Sequence, residues 1–173
     1  MSLEEYLKSR KYREEWQKAR DCADELPRLM KSDSCDVRKK VIYAMGKLAK
    51  EGYNFIEYLI AALDDECEWV RGNAAEALGE LRVAEEAIID LLEDGCPYVR
   101  HKAAEAIGKI GEKNPEFAKK AYKALLKRLN DRSSYVQYVA LEALKKISLS
   151  GMEIKEVKEI LESVTSSDKP AKR

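Results

Sequence analysis

The chain has 173 residues, 45% of them hydrophobic and 37% charged, and its 32 basic residues balance 32 acidic ones. It is long enough for one domain with a sizeable core, and its composition excludes a disordered or membrane-embedded chain. Zero net charge argues against a protein whose main task is neutralising phosphates, and 22 Glu and 21 Lys against two Gln describe a helix-forming surface that leans towards a thermophilic source.

In chain order, residues 1–23 read as one or two capping helices with Leu3, Leu7 and Trp16 turned inward. Their basic residues (Lys8, Arg10, Lys11, Arg13, Lys18, Arg20) are interleaved with Glu4, Glu5, Glu14 and Glu15, the pattern of a solvated face with local ion pairs. No apolar run there resembles a secretory signal, and no stretch reaches the roughly 20 apolar residues of a membrane span. A cytoplasmic location and no membrane partner are therefore expected. Pro27, three residues after Asp24, fits a first helical turn.

From residue 24 to 148 the chain repeats itself four times. Leu63-Asp-Asp-Glu-Cys-Glu-Trp-Val-Arg71 is followed by Leu92-Glu-Asp-Gly-Cys-Pro-Tyr-Val-Arg100 and Leu129-Asn-Asp-Arg-Ser-Ser-Tyr-Val-Gln137. Met30-Lys-Ser-Asp-Ser-Cys-Asp-Val-Arg38 precedes them, with one residue fewer between its Asp and its Val. Anchored on Val37, Val70, Val99 and Val136, the periods are 33, 29 and 37 residues. Each unit reads as two helices. The second begins near the anchor valine and carries apolar residues at +4, +7, +8 and +11: Val41, Ala44, Met45, Leu48; Ala74, Ala77, Leu78, Leu81; Ala103, Ala106, Ile107, Ile110; Ala140, Ala143, Leu144, Ile147. That spacing is one face of a 3.6-residue helix. The first helix has its own stripe, as in Leu59, Ile60, Leu63 and Ile88, Ile89, Leu92 and Leu125, Leu126, Leu129. Asp65, Asp94 and Asp131 mark the turn between the two helices, Gly52 and Asn54 separate the first two units, and Asn114-Pro115 is an N-cap followed by proline at the first helical position. Ser150-Gly-Met-Glu153 is a capping box opening a C-terminal cap helix over 150–164, and 165–173 is a flexible tail. The whole is one domain over 1–164.

Val70-Arg-Gly-Asn-Ala-Ala-Glu-Ala-Leu-Gly79 and Val99-Arg-His-Lys-Ala-Ala-Glu-Ala-Ile-Gly108 closely resemble the HEAT-repeat subtype named after phycobilisome lyases. The resemblance covers about residues 24–148. The fourth unit departs from the pattern with Gln137 for Arg and Lys145 for Gly. Membership would imply an all-α fold, an α-solenoid wound as a right-handed superhelix, with the second helices lining its concave side. It would also imply that Asp65 with Arg71, Asp94 with Arg100 and Asp33 with Arg38 form a ladder tying repeat to repeat. The motif specifies a scaffold and leaves function open.

Little here carries chemistry. Cys67 and Cys96 hold equivalent turn positions and Cys35 lies near the same place. Equivalent points on stacked helices are roughly 8–10 Å apart, beyond the about 4.4–6.8 Å Cα separation of a disulfide. Neither a bridge nor a zinc site is expected, and four separated cysteines with no CxxC pair suit a reducing compartment. His101 is the only histidine, which excludes a multi-His di-iron centre. No phosphate-binding glycine loop and no catalytic constellation is present, so the chain reads as a non-enzyme with no cofactor and no metal. The side of the second helices opposite the apolar stripe is more informative. Positions −1, +2 and +6 hold Asp36, Lys39, Tyr43; Trp69, Gly72, Glu76; Tyr98, His101, Glu105; Tyr135, Tyr138, Glu142. Trp and Tyr are typical hot-spot residues. Tyr43, Trp69, Glu76, Tyr98, His101, Glu105, Tyr135, Tyr138 and Glu142 are accordingly expected to line a binding groove for a protein or peptide segment, with the glutamates favouring a basic one. The competing readings are nucleic-acid binding, as in HEAT-like alkylpurine glycosylases, which Glu76, Glu105 and Glu142 oppose, and a chaperone-like lyase subunit for a tetrapyrrole, which rests on family analogy.

Overall fold

The computed structural model describes residues 2–8, 17–149, 157 and 159, and every element among them is helical. The apolar stripes fold as their spacing requires. The second helices are α4 (Cys35–Lys50), α6 (Glu68–Leu81), α8 (Pro97–Gly111) and α10 (Ser134–Leu149). Their +4, +7 and +8 residues are buried in all four units. The first helices are shorter. Leu26–Leu29 (α3), Ile56–Ala61 (α5) and Glu86–Asp90 (α7) each adjoin a single 3-10 turn, whereas Pro115–Arg128 (α9) runs four turns from its Asn114 cap, whose side chain accepts the Phe117 N–H. α4, α6, α8 and α10 pack in series, and α5, α7 and α9 each pack on the second helix of their own unit. This is an α-solenoid. No described helix is long and apolar enough to cross a membrane.

Position +5 is buried as well: Ile42, Ala75 and Ala104. A stripe read from one helix alone omits it, because α6 and α8 are flanked by an inner helix on either side as well as by their own first helix, and α4 by α6 and α1. Before the repeats, α1 (Leu3–Lys8) packs on α4 with Leu3 and Leu7 buried, and α2 (Gln17–Asp21) also reaches α4. Lys40 is buried and fastens α1. Its Nζ donates to the Leu7 carbonyl at 2.5 Å, a cation at a helix C-terminus, and meets Asp36 at 2.9 Å. Trp16 and the capping box at Ser150 lie outside the described residues.

One arginine and one glycine per unit build each joint. Arg71 donates from Nε and Nη2 to both carboxylate oxygens of Asp94 in the next unit, at 2.8 and 3.1 Å. Arg100 does the same to Asp131 at 2.9 and 2.8 Å, and Arg38 to Asp65 at 2.9 and 3.0 Å. The Asp and Arg of a single unit are also linked, but through the backbone: Nη1 of Arg71 donates to the Asp65 carbonyl at 2.7 Å, and that of Arg100 to the Asp94 carbonyl at 2.8 Å. Each Asp carboxylate additionally accepts the N–H two residues on, at Cys67, Cys96 and Ser133. The aspartates thus shape the turn without being the cap residue, which is Cys67 in α6 and Cys96 in α8. At position +9 the helices nearly touch. A Cβ on Gly79 would lie 2.6 Å from the Ala106 Cα, one on Gly108 2.9 Å from the Ala143 Cα, and one on Gly46 2.8 Å from the Ala77 Cβ.

One expectation is overturned. Cys35 and Cys67 are joined by a disulfide, their Cα atoms 6.0 Å apart, inside the range a bridge tolerates. The place of the cysteine in the turn is the cause. Ser34 caps α4, so Cys35 is its first helical residue, whereas Cys67 is itself the cap position of α6. The two cysteines are offset by one residue in register, and the spacing of equivalent points does not apply to them. Cys22 and Cys96 remain free thiols. With a bridge present, the cysteines no longer argue for a reducing compartment.

Candidate functional site

The residues opposite the buried stripe of α4, α6, α8 and α10 share one face. Trp69 at the start of α6 lies against Tyr98 at the start of α8, ring centroids 4.5 Å apart. Tyr98 meets His101 edge-on at 5.2 Å, and His101 meets Tyr135 of α10 edge-on at 4.9 Å. The four rings form an unbroken row across three units. Its members differ in burial. Trp69 and Tyr135 are 46% and 58% exposed, and Tyr138 beyond the row is 60% exposed. Tyr98 is half-buried. Its hydroxyl donates to Asn73 Oδ1 at 2.8 Å, and its ring lies where a Cβ on Gly72 would come within 2.3 Å of it. Glycine at that position of α6 lets the Tyr98 ring lie flat on the preceding unit. Tyr98 is therefore a joint residue as well as a surface one.

Tyr43 is half-buried on α4, with the Lys47 ammonium 5.2 Å from its ring centroid. It faces Trp69 and Tyr98 across a groove of about 490 Å³ lined also by Lys39, Asn73, Glu76 and Lys102.

The glutamates do not stand as an open acidic row. Glu76 is 2.8 Å from Lys102, which lies 3.8 Å from Glu105. Glu105 is 2.8 Å from Lys109, which reaches Glu80 at 4.0 Å, and Glu80 is held by Lys50 of α4. On α10, Glu142 is 2.7 Å from Lys145. Burial alone would raise the Glu105 carboxyl. The Lys109 hydrogen bond, with the charges of Lys109, Lys102 and His101, holds it below the ordinary glutamate value. His101 is pushed down by burial and by Lys102, against the pull of Glu105. The face is thus electrically closed, a run of alternating charges with aromatic rings beside it.

The lysines of this network are the residues that sequence reasoning missed, together with Asn73. A signal was present. Lys102 and Lys109 stand three residues before and four after Glu105, the spacing of ion pairs on one helix surface. Among the described residues, no group of three or more His, Cys, Asp or Glu side chains is placed to hold a metal ion. The arrangement offers apolar area, ring edges and a few hydrogen-bond donors, which is equipment for binding.

A family model described as HEAT repeats matches residues 23–91, 56–145 and 85–173. No match was found among curated proteins. The chain is similar in structure to an engineered protein, at a TM-score of 0.66 and 21% identity over 98% of this chain and 91% of that one. A designed armadillo repeat protein in complex with the peptide (KR)4 superimposes at a TM-score of 0.63 and 23% identity, over 91% of this chain and 80% of that one. A computationally designed armadillo repeat protein for modular peptide recognition superimposes at 0.61 and 24%, over 87% and 74%. At these identities the likeness is one of fold.

Proposed function

Because the chain belongs to the HEAT-repeat family, with matches spanning residues 23–173, we propose that it is a protein-interaction module that receives a segment of a partner protein on the face of its second helices. Within the family, its Val-Arg and Ala-Ala-x-Ala runs place it by our reading in the phycobilisome-lyase-like subtype. We take 24–148 as four repeats between helical caps at 1–23 and 150–164. One observation carries the reading: the ring row from Trp69 through Tyr98 and His101 to Tyr135 crosses three units while Trp69, Tyr135 and Tyr138 keep about half their surface open. Large rigid rings at half exposure offer contact area at low entropic cost. The fold adds support, since structural neighbours include a designed armadillo repeat protein in complex with a peptide. Tyr43, Glu76, Glu105 and Glu142 would border the bound segment.

Selection from a random peptide-display library against the immobilised chain tests this. Enriched peptides should bind the wild type and lose at least about tenfold in affinity to Trp69→Ala and Tyr138→Ala. Glu57→Lys, on the exposed side of α5, should bind them unchanged. Enriched peptides indifferent to both aromatic substitutions would place the binding surface elsewhere.

A further inference from the structure

We propose that the segment received on this face is proline-rich, uncharged through its core, and held as a polyproline II helix across α6, α8 and α10. The inference rests on the peptide-binding reading above and narrows it to one chemistry. Three features point the same way.

The first is charge closure. Asp36, Glu76, Glu105 and Glu142 each have a lysine ammonium within 2.8 Å. A basic segment must displace those lysines, and an acidic one must displace the carboxylates. Either exchange breaks as many ion pairs as it makes, so charge contributes little net affinity. An uncharged segment leaves the network whole.

The second is the polarity of the ring tips. The Trp69 indole N–H and the Tyr135 and Tyr138 hydroxyls form no hydrogen bond with any described residue. An indole N–H only donates, and a hydroxyl can donate. A polyproline II segment has no internal hydrogen bonds, and proline has no N–H, so its backbone asks only for donors. An added β-strand would need acceptors as well, and the side of a helix exposes no backbone ladder to supply them.

The third is the repeat distance. A polyproline II helix has three residues per turn at about 3.1 Å each, so equivalent residues recur every 9 Å or so. Stacked helices sit roughly 8–10 Å apart. Every third residue can therefore meet one unit after another without stretching or slipping. Same-face residues of a β-strand recur at about 6.8 Å, which falls out of step within two units. Flat proline rings against Trp and Tyr faces then provide the apolar burial, with the groove between Tyr43 and the Trp69–Tyr98 pair taking the segment's end.

The test is calorimetric titration of the full chain with three blocked peptides: decaproline, an alternating Lys–Arg peptide and an oligoglutamate. Each is run at low salt and at roughly 0.5 M, where surface charge is heavily screened. Decaproline should bind, with a Kd that changes less than about twofold between the two salts. The affinity should fall at least about tenfold in Trp69→Ala and in Tyr135→Ala, whose side chains are open enough that the fold tolerates their loss. Unchanged melting temperatures would confirm that tolerance. Preferential binding of the Lys–Arg peptide or of oligoglutamate, lost at high salt, would overturn the proline reading while leaving the peptide-binding face in place. Absence of heat with all three peptides overturns the inference, as does decaproline binding that ignores both substitutions. The library selection above then decides separately whether the face binds peptides at all.

Discussion

The joint between units three and four and the far side of unit four make an instructive pair. At the joint, Arg100 does two things: its Nη1 holds the Asp94 carbonyl of its own turn, and its Nε and Nη2 hold both oxygens of Asp131 in the next unit. On the far side Gln137 takes the same position and, among the described residues, keeps the first function, its Nε2 donating to the Asp131 carbonyl at 2.6 Å. The glycine follows suit. Gly108 lets Ala143 approach, while Lys145 stands at the equivalent place in unit four and pairs with Glu142. The Val-Arg and Gly positions of the repeat are thus properties of a joint and not of a unit.

That contrast can be broken by substitution. The largest effect is expected at Arg100→Ala. It removes the bidentate partner of Asp131, whose side chain is 3% exposed and keeps only the Ser133 N–H and Arg128 at 3.4 Å; breaking a buried pair on one side costs up to about 3–5 kcal/mol. Gln137→Ala should cost only about 1 kcal/mol, one hydrogen bond. Denaturant unfolding of the two variants measures the difference, and equal losses would show that the joint is not special.

Next comes the first joint, where the disulfide spans a sequence separation of 32. Closing a loop of that length stabilises by about 2–4 kcal/mol. Cys67→Ala, or reductant on the wild type, should lower the unfolding midpoint accordingly, and Cys96→Ala should not. A midpoint unmoved by reductant would mean that the bond adds nothing to the Arg38–Asp65 pair beside it.

Gly79→Ala is expected to cost about 1–3 kcal/mol, the range for overpacking, because the atom met is backbone and cannot swing aside. Lys145→Ala should stay within about 0.5 kcal/mol. Gly95→Ala is a second control, since a Cβ there meets nothing within 4 Å.

The most gradual effect is with pH. Asp131 is held below the ordinary aspartate value chiefly by the Arg100 hydrogen bond, and Asp94 is held below it by Arg71 and the Cys96 N–H against its own burial. Carboxyls lowered on folding contribute stability that is complete above their unfolded pKa of about 3.9 and is lost as pH falls through their lower folded values. Wild-type stability should therefore drop on acidification below about pH 4. In Arg100→Ala the Asp131 share of that drop should shrink, since only the Ser133 N–H and the Arg128 charge then hold its carboxyl down. An acid profile identical in both proteins would remove the joint carboxylates from the account.

Much of this is legible in the sequence. The in-phase Val-Arg and Ala-Ala-x-Ala runs identify the helix pairs, and the +4, +7 and +8 positions name core residues that the fold buries. The nine candidate site residues lie on the second helices, and Trp69, Tyr98, His101 and Tyr135 come together as a row. What is not legible concerns neighbours. The sequence suggests glutamates that favour a basic segment, whereas the fold sets Lys102 between Glu76 and Glu105, and the sequence treats Tyr98 and Trp69 as equivalent, whereas the packing of Tyr98 over Gly72 involves a different unit.

The division has a physical reason. A single helix's periodicity is a local property, set by 3.6 residues per turn and by which side chains avoid water, so the sequence alone determined the helices, their phase and their buried faces. The offset and rotation between one helix and the next are set by packing of the whole stack. Only that tertiary packing decided that Arg100 meets Asp131 in the following unit, that Cys35 reaches Cys67 from one position further into its helix, and that lysines close the charge of the face the aromatic rings leave open.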